Sequence, residues 1–181
     1  MSKLARKDFH STLLPDVADF DCGDAEGAWC VEVSEWIRDP DGALLSMARR
    51  KTKVWLYCLP DGRLVGYGSL GTSKWEWPEF GSPLSTLFHI PFFGVAQHFR
   101  GKPDGEGEVR YSRQIMEDLI AEARAWPAGR LVTPVVTLYV DERNESAMKF
   151  YRKCGFRDFR EKRLPSDTTP GKFNLGMVLP L

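Results

Sequence analysis

The chain has 181 residues, of which 43% are hydrophobic and 12% aromatic, and its 25 basic residues balance 25 acidic ones. That length suits one hydrophobic core, the composition is too apolar for a disordered chain, and no run approaches the roughly 20 apolar residues of a membrane span. Zero net charge excludes a global field drawing the protein to nucleic acid or to an anionic membrane, so any such binding needs a local patch.

The amino-terminal stretch Met1 to Asp16 carries Lys3, Arg6 and Lys7 without the apolar segment and cleavage site of a secretory signal, so a cytoplasmic location is expected. Around Trp29 to Ala48 the apolar positions Val33, Trp36, Ile37, Leu44, Leu45 and Ala48 predict two short helices broken at Asp39, Pro40, Asp41 and Gly42, a pair expected to be mobile or to form a rim. Lys53 to Leu59 and Arg63 to Leu70 read as strands of a hairpin turned by Pro60, Asp61 and Gly62. Leu87 to Val95 is apolar on both faces, as in a central strand, with Pro91 removing one ladder donor and implying a bulge or local splay. From Ser112 to Trp126, Ile115, Met116, Leu119, Ile120 and Ala123 repeat at helical spacing, and Pro127 and Gly129 end the helix. Val135 to Val140 reads as a buried strand, followed by a helix capped at Asn144 and ended by Gly155, and Lys172 to Leu179 as a last strand. The order predicts one domain over residues 1–181, a mixed α/β sheet with helices on its faces. Four scattered cysteines, Cys22, Cys30, Cys58 and Cys154, with His10, His89 and His98, show no metal-ligand spacing, so reduced thiols and no metal are expected.

Leu138, Val140, Asn144, Ala147, Phe150, Tyr151, Gly155 and Phe156 stand at fixed intervals, and Gly94, Val95, Gln97, Phe99, Arg100, Gly101 and Lys102 form a second block. In these blocks the sequence resembles the GNAT acyltransferases, over about two-thirds of the chain from Lys53 to its end. The resemblance implies a central twisted mixed sheet of about six or seven strands with splayed central strands, and acetyl-CoA as co-substrate. In the family a glycine-rich turn opening a helix binds the coenzyme's phosphates through main-chain amides and the helix dipole. This chain departs there, with an apparent insertion from Pro103 to Val109. Asp104, Glu106 and Glu108 would repel a diphosphate, so the insertion is expected to bulge away. The phosphates would meet amides near Arg110, Tyr111, Ser112 and Arg113, with Arg100 and Lys102 supplying charge beside Gly101. Gly105 and Gly107 read more simply as a surface turn.

The resemblance also implies roles. Val95 would pair with the pantetheine arm, the Phe93 N–H would face the acyl carbonyl, and Asn144 would combine capping with a pantetheine contact. Tyr151 falls where the family places its general acid, although a helix tyrosine can equally pack its ring in a core. His89, six residues before Val95 and so expected on the same face, is the candidate base. A satisfied core histidine is the plainer reading, and water, Glu76 or Glu79 are alternatives. Trp75, Trp77, Pro78 and Phe80 read as an acceptor pocket, a hydrophobic lid or a homodimer contact. Cys154 reads as a buried thiol rather than a nucleophile.

The implied activity is N-acetyl transfer to a primary amine of a small molecule or protein by direct attack in a ternary complex. Phe20, Cys22, Gly23, Trp36, Val65, Gly66, Tyr67 and Leu70 look similar to GNAT toxins that acetylate aminoacyl-tRNA, with Arg49, Arg50, Lys51 and Lys53 as a phosphate-binding patch. A solvated helix end is the plainer reading of those four cations. A third alternative is a module that binds acyl-CoA without turnover.

Overall fold

The computed structural model describes residues 4–23, 28–50, 52–77, 82–103, 109–126, 132–165 and 173–181. In chain order come β1 (Ala5–Asp8), a 3-10 turn at Ser11–Leu13, α1 (Leu14–Val17), α2 (Ala28–Arg38), α3 (Ala43–Arg50), β2 (Lys53–Cys58) and β3 (Leu64–Trp77). There follow β4 (Ser82–His89), β5 (Phe93–Val95), a 3-10 turn at Gln97–Phe99, α4 (Tyr111–Ala125), β6 (Thr133–Asp141), α5 (Glu145–Lys153), β7 (Arg157–Pro165) and β8 (Phe173–Pro180). This is a mixed α/β fold with an open, mixed sheet. The chain divides into two compact units, Met1–Gly71 with Phe92–Leu119, and Thr72–Pro91 with Ile120–Leu181. Among the described residues no helix is long and apolar enough to cross a membrane.

In the first unit the strands run in the order β1, β2, β3, β5, all antiparallel. Gly62 turns the β2–β3 hairpin at φ 88°, with its N–H donating to Leu59 O at 2.9 Å. The cross-strand partners Arg6, Tyr57 and Gly66 share one face. On that face Asp118 of α4 accepts from Arg6 at 2.9 Å and from the Tyr57 hydroxyl at 2.8 Å. A Cβ on Gly66 would stand 3.1 Å from Ile115 Cδ1, and one on Gly68 2.8 Å from Leu119 Cδ1, so the bare glycines let α4 lie close to the sheet. The opposite face carries α2. There the Tyr67 hydroxyl donates to Val33 O at 2.6 Å, and Trp36 stacks on Phe92 and Tyr67 at 4.6 and 5.8 Å between centroids. Of the helix pair expected to be mobile or to form a rim, α2 is thus packed on this face through an aromatic cluster.

The second unit carries the distal half of β3, then β4, β6, β8 and β7. Its one parallel pair among those described is β4 with β6, and β8 lies antiparallel to both β6 and β7. Trp75, Leu87, Val135, Phe159 and Val178 form its buried apolar cluster.

Eight strands are described where about six or seven are expected. The run Leu87 to Val95, read as one strand, is two: β4 ladders with β6 in the second unit, and β5 ladders with β3 in the first. Pro91 lacks the N–H that an unbroken ladder needs. The helices over 112–126 and 144–155 appear as read, shifted by a residue at their ends.

Candidate functional site

In the first unit the candidate coenzyme residues of β5 are oriented by its ladder. Ser69 N–H donates to Phe92 O at 3.0 Å and Ala96 N–H to Val65 O at 2.9 Å. Antiparallel bonding alternates along a strand, so Phe92, Gly94 and Ala96 turn their main-chain groups toward β3, while those of Phe93 and Val95 turn the other way. The break beside Pro91 is closed by a side chain. The Ser69 hydroxyl donates to Phe92 O at 2.7 Å and accepts from Phe92 N–H at 2.9 Å. Ser69 is fully buried, and nothing in the local sequence signals this role.

The turn after β5 leads to α4. Gly101 takes the left-handed conformation at φ 70°, and Pro103 and Arg110 form an isolated antiparallel bridge. Residues 104–108, and with them the expected outward bulge, lie outside the described residues. The bridge brings the chain back so that α4 starts at Tyr111. Lys102 and Arg110 are exposed at this point, with Ser112 half-buried in the first turn.

Three residues assigned here serve other contacts. Arg100 is turned inward, its Nη1 donating to Cys22 O at 2.9 Å, so the guanidinium satisfies a main-chain oxygen ahead of α2. Arg113 pairs with Glu117 one turn on, and its N–H already donates to Arg110 O at 2.9 Å. Tyr111 is buried with its ring edge-on to Phe99 at 5.5 Å.

In the second unit, Asn144 caps α5 as expected, accepting from Ala147 N–H at 2.9 Å. Gly155 ends the helix at φ 94°, and its N–H donates to Arg152 O at 3.0 Å. Tyr151, half-buried as a residue, has its hydroxyl end inside, near Phe156 and Cys154. Burial, with a smaller contribution from Cys154, pushes the phenol well above its ordinary range, so it stays protonated. Among the described residues none hydrogen-bonds that hydroxyl. Cys154 is half-exposed rather than buried, because it occupies the C-cap, where its N–H donates to Phe150 O and Tyr151 O at 3.1 and 2.9 Å.

His89 ends β4 directly opposite Thr137 of β6. Its Nδ1 lies 3.0 Å from Thr137 Oγ1, whose hydroxyl donates to Phe88 O at 2.8 Å. Trp75 and Tyr139 stand round the ring at 6.3 and 5.7 Å between centroids. The even spacing that put His89 on the face of Val95 does not carry across the break at 90–92. Trp75 is a core residue here rather than a pocket or contact residue, while the side chain of Trp77, with Pro78 and Phe80, lies outside the described residues. The side chains of Glu76 and Glu79 do as well. Thr137 and Tyr139 were missed, since a threonine inside an apolar strand reads as an ordinary β-former. Among the described residues no group of three or more His, Cys, Asp or Glu could hold a metal ion.

The thiols can be tested directly. None of the four is in a disulfide, and burial pushes Cys22 up to about 12 and Cys58 in the same direction. At pH 8 a thiol with a pKa of about 12 is about 10⁻⁴ thiolate, roughly a thousandfold less than an ordinary one. Iodoacetamide is expected to label Cys154 first in the native protein, and Cys22, Cys30 and Cys58 only on unfolding, as read by peptide mass. Rapid native labelling of Cys22 would mean that the entry to α2 opens in solution.

The Acetyltransferase (GNAT) family pattern matches residues 25–156. No curated protein matches the sequence. Among solved structures, a bacterial toxin superposes with a TM-score of 0.70 at 15% identity, over 99% of this chain and 91% of that one. Nourseothricin acetyltransferase does so at 0.61 and 16% identity over 98% of both chains. A spermidine/spermine N-acetyltransferase from Vibrio cholerae gives 0.59 and 14% identity, over 98% of this chain and 92% of that one. Those likenesses speak for the fold alone. The family pattern spans well over half of the sequence and includes β5, α4 and α5, and on that ground the chain belongs to the GNAT acetyltransferase family.

Proposed function

We propose that the chain, as a single catalytic domain in the cytoplasm, transfers an acetyl group from acetyl-CoA to a primary amine of a small molecule or protein, by direct attack in a ternary complex. The observation that carries the reading is the Tyr151 hydroxyl, an interior donor that keeps its proton and has no partner among the described residues. A buried polar group without a partner costs about 1–3 kcal/mol, and a departing thiolate is a partner that would repay its protonation.

Bound acetyl-CoA supplies an activated thioester. On this reading the outward main-chain groups of Phe93 and Val95 receive the pantetheine and acyl carbonyl, with the Asn144 carboxamide as a further contact. The Ser112 amide at the start of α4 receives the phosphates, together with the exposed Lys102 and Arg110 beside Gly101. The side chains of Arg100 and Arg113, and the Arg113 amide, are left out of that set because each already has a protein partner. Tyr111 serves by packing the helix start, its own N–H reaching Lys102 O at 3.5 Å. His89 takes the proton of the acceptor ammonium, freeing the nitrogen lone pair for attack. Nourseothricin and spermidine/spermine acetyltransferases among the fold relatives are in keeping with an amine acceptor.

A second reading, acetylation of aminoacyl-tRNA, is favoured by one observation. Phe20, Trp36 and Tyr67, which carry the toxin resemblance, pack together in the first unit, with Cys22 and Gly23 beside them against Gly94 and Gln97. Arg49 and Lys53 are exposed, whereas the side chain of Arg50 and all of Lys51 lie outside the described residues. The two readings separate in one assay. Labelled acetyl-CoA is offered with polyamines, amino acids, peptides and charged tRNA, each at two salt concentrations. Salt-insensitive labelling of small amines or peptides is expected. Labelling of charged tRNA alone, falling steeply with salt and lost in an Arg49→Ala, Arg50→Ala, Lys51→Ala variant, would replace the first reading with the second. No binding of coenzyme A at millimolar ligand would overturn both.

A further inference from the structure

The turn after β5, which carries Gly101 and Lys102, is stiff within itself. Phe99 N–H donates to Ala96 O at 2.8 Å, Arg100 N–H to Gln97 O at 3.2 Å and Lys102 N–H to Phe99 O at 3.2 Å. Its position is set by a segment distant in sequence, Asp21–Gly23. Gln97 N–H donates to Asp21 O at 2.8 Å, and Arg100 Nη1 to Cys22 O at 2.9 Å. Gly23, at φ 86°, lies so close that a Cβ on it would stand 3.0 Å from Gln97 Cγ. Ser34 of α2 holds this segment in turn. Its buried hydroxyl donates to Cys30 O at 2.9 Å and accepts from Cys22 N–H at 2.9 Å. A line of hydrogen bonds therefore runs from α2 to the turn, with Ser34 on one side of Cys22 and Arg100 on the other.

We infer that Ser34 is a positioning residue for the coenzyme: through Cys22 it fixes the turn that brings Lys102 to the phosphates. The inference rests on the coenzyme-binding part of the reading above and adds to it a residue that touches no ligand. Ser34 is uncharged and buried, so it acts by geometry alone. Removing its hydroxyl leaves the Cys22 N–H without that acceptor in the interior, a cost relieved when the segment shifts. The turn follows, because it hangs on Asp21 O and Cys22 O, and its internal hydrogen bonds make it move as one piece. Hydrogen bonds to a phosphate weaken steeply with misplacement, so the shift is felt as lost affinity. Arg100 takes part as a tie to the segment, which separates its effect from that of a charge facing the phosphates.

Calorimetry with coenzyme A tests this on the full chain, far below the melting temperature of each variant, where a loss of stability alone leaves affinity unchanged. Ser34→Ala is expected to weaken coenzyme A binding about 10-fold or more. Arg100→Met, at a half-exposed position outside the core, is expected to do the same, with a loss equal at low and high salt. A direct phosphate contact would instead matter less as salt rises, because salt screens it. Both variants break one tie, so the double variant is expected to bind about as weakly as the weaker single variant. Ser34→Ala binding like the wild type overturns the inference, as do losses that multiply in the double variant or an Arg100→Met loss that shrinks with salt. Wild-type protein that binds no coenzyme A sinks the coenzyme-binding reading itself, and this inference with it.

Discussion

Tyr151→Phe is expected to lower kcat on the order of 10²-fold or more, to leave the affinity for coenzyme A within a few-fold, and to leave the melting temperature unchanged or raised. Phenylalanine keeps the ring contacts with Phe150 and Phe156 and removes only the interior hydroxyl. Had that hydroxyl tied the fold together through a hydrogen bond, its loss would destabilise; with no partner among the described residues, its loss relieves a buried donor. A second signature follows from titration. Burial raises the folded phenol above its unfolded value of 10.0, so the stability it contributes is whole below about pH 10 and is lost as pH rises through the folded value. Wild type should lose stability in that alkaline window faster than Tyr151→Phe. Steady-state kinetics and thermal melts read all of this. Wild-type turnover by the variant would return Tyr151 to a packing role.

Gly66→Ala is expected to destabilise the fold by roughly 1–3 kcal/mol, shifting the melting temperature by about 2–4 °C per kcal/mol, and to weaken coenzyme A binding at temperatures far below the melt. The added Cβ would stand 2.4 Å from Gly94 O, a main-chain atom that the β3–β5 ladder prevents from stepping aside. The strain is relieved by lifting β5, the strand proposed to present Phe93 and Val95 to the pantetheine. Gly62→Ala is the control. Its Cβ meets nothing within 4 Å and its φ of 88° is unfavourable for alanine, so it costs about 1–2 kcal/mol with no route to β5. Calorimetry should separate them, affinity falling about 10-fold or more in the first and holding in the second. Equal affinities in the two variants would detach β5 from coenzyme binding.

Elements governed by local periodicity were readable from the chain. Ile115, Met116 and Leu119 announce α4, Asn144 and Gly155 bracket α5, and Gly62 marks the hairpin. β1 escaped because Ala-Arg-Lys-Asp carries no alternation, all four residues being exposed, and β7 because Arg157–Pro165 is mostly polar. The site divides along the same line. Tyr151 and Asn144, the residues proposed for it on α5, lie within one short motif, and the Asn144 cap was readable there. The bonds that orient the rest join residues far apart in sequence: Ser69 with Phe92, His89 with Thr137, and Arg100 with Cys22. No window of sequence contains both partners. Arg100 illustrates this: beside Gly101 it reads from the sequence as a ligand contact, and its hydrogen bond to Cys22 O shows only in the structure.

The bridge between Pro103 and Arg110 separates the length of the inserted segment from the position of α4. Once the two stems are fixed opposite each other, what lies between them is a closed loop whose entropy grows only with the logarithm of its length, about 0.6 kcal/mol for each doubling. A family member can therefore gain or lose residues here with little thermodynamic consequence and without moving the first turn of α4. A change of length between these two stems is accordingly expected to leave the start of α4 in place.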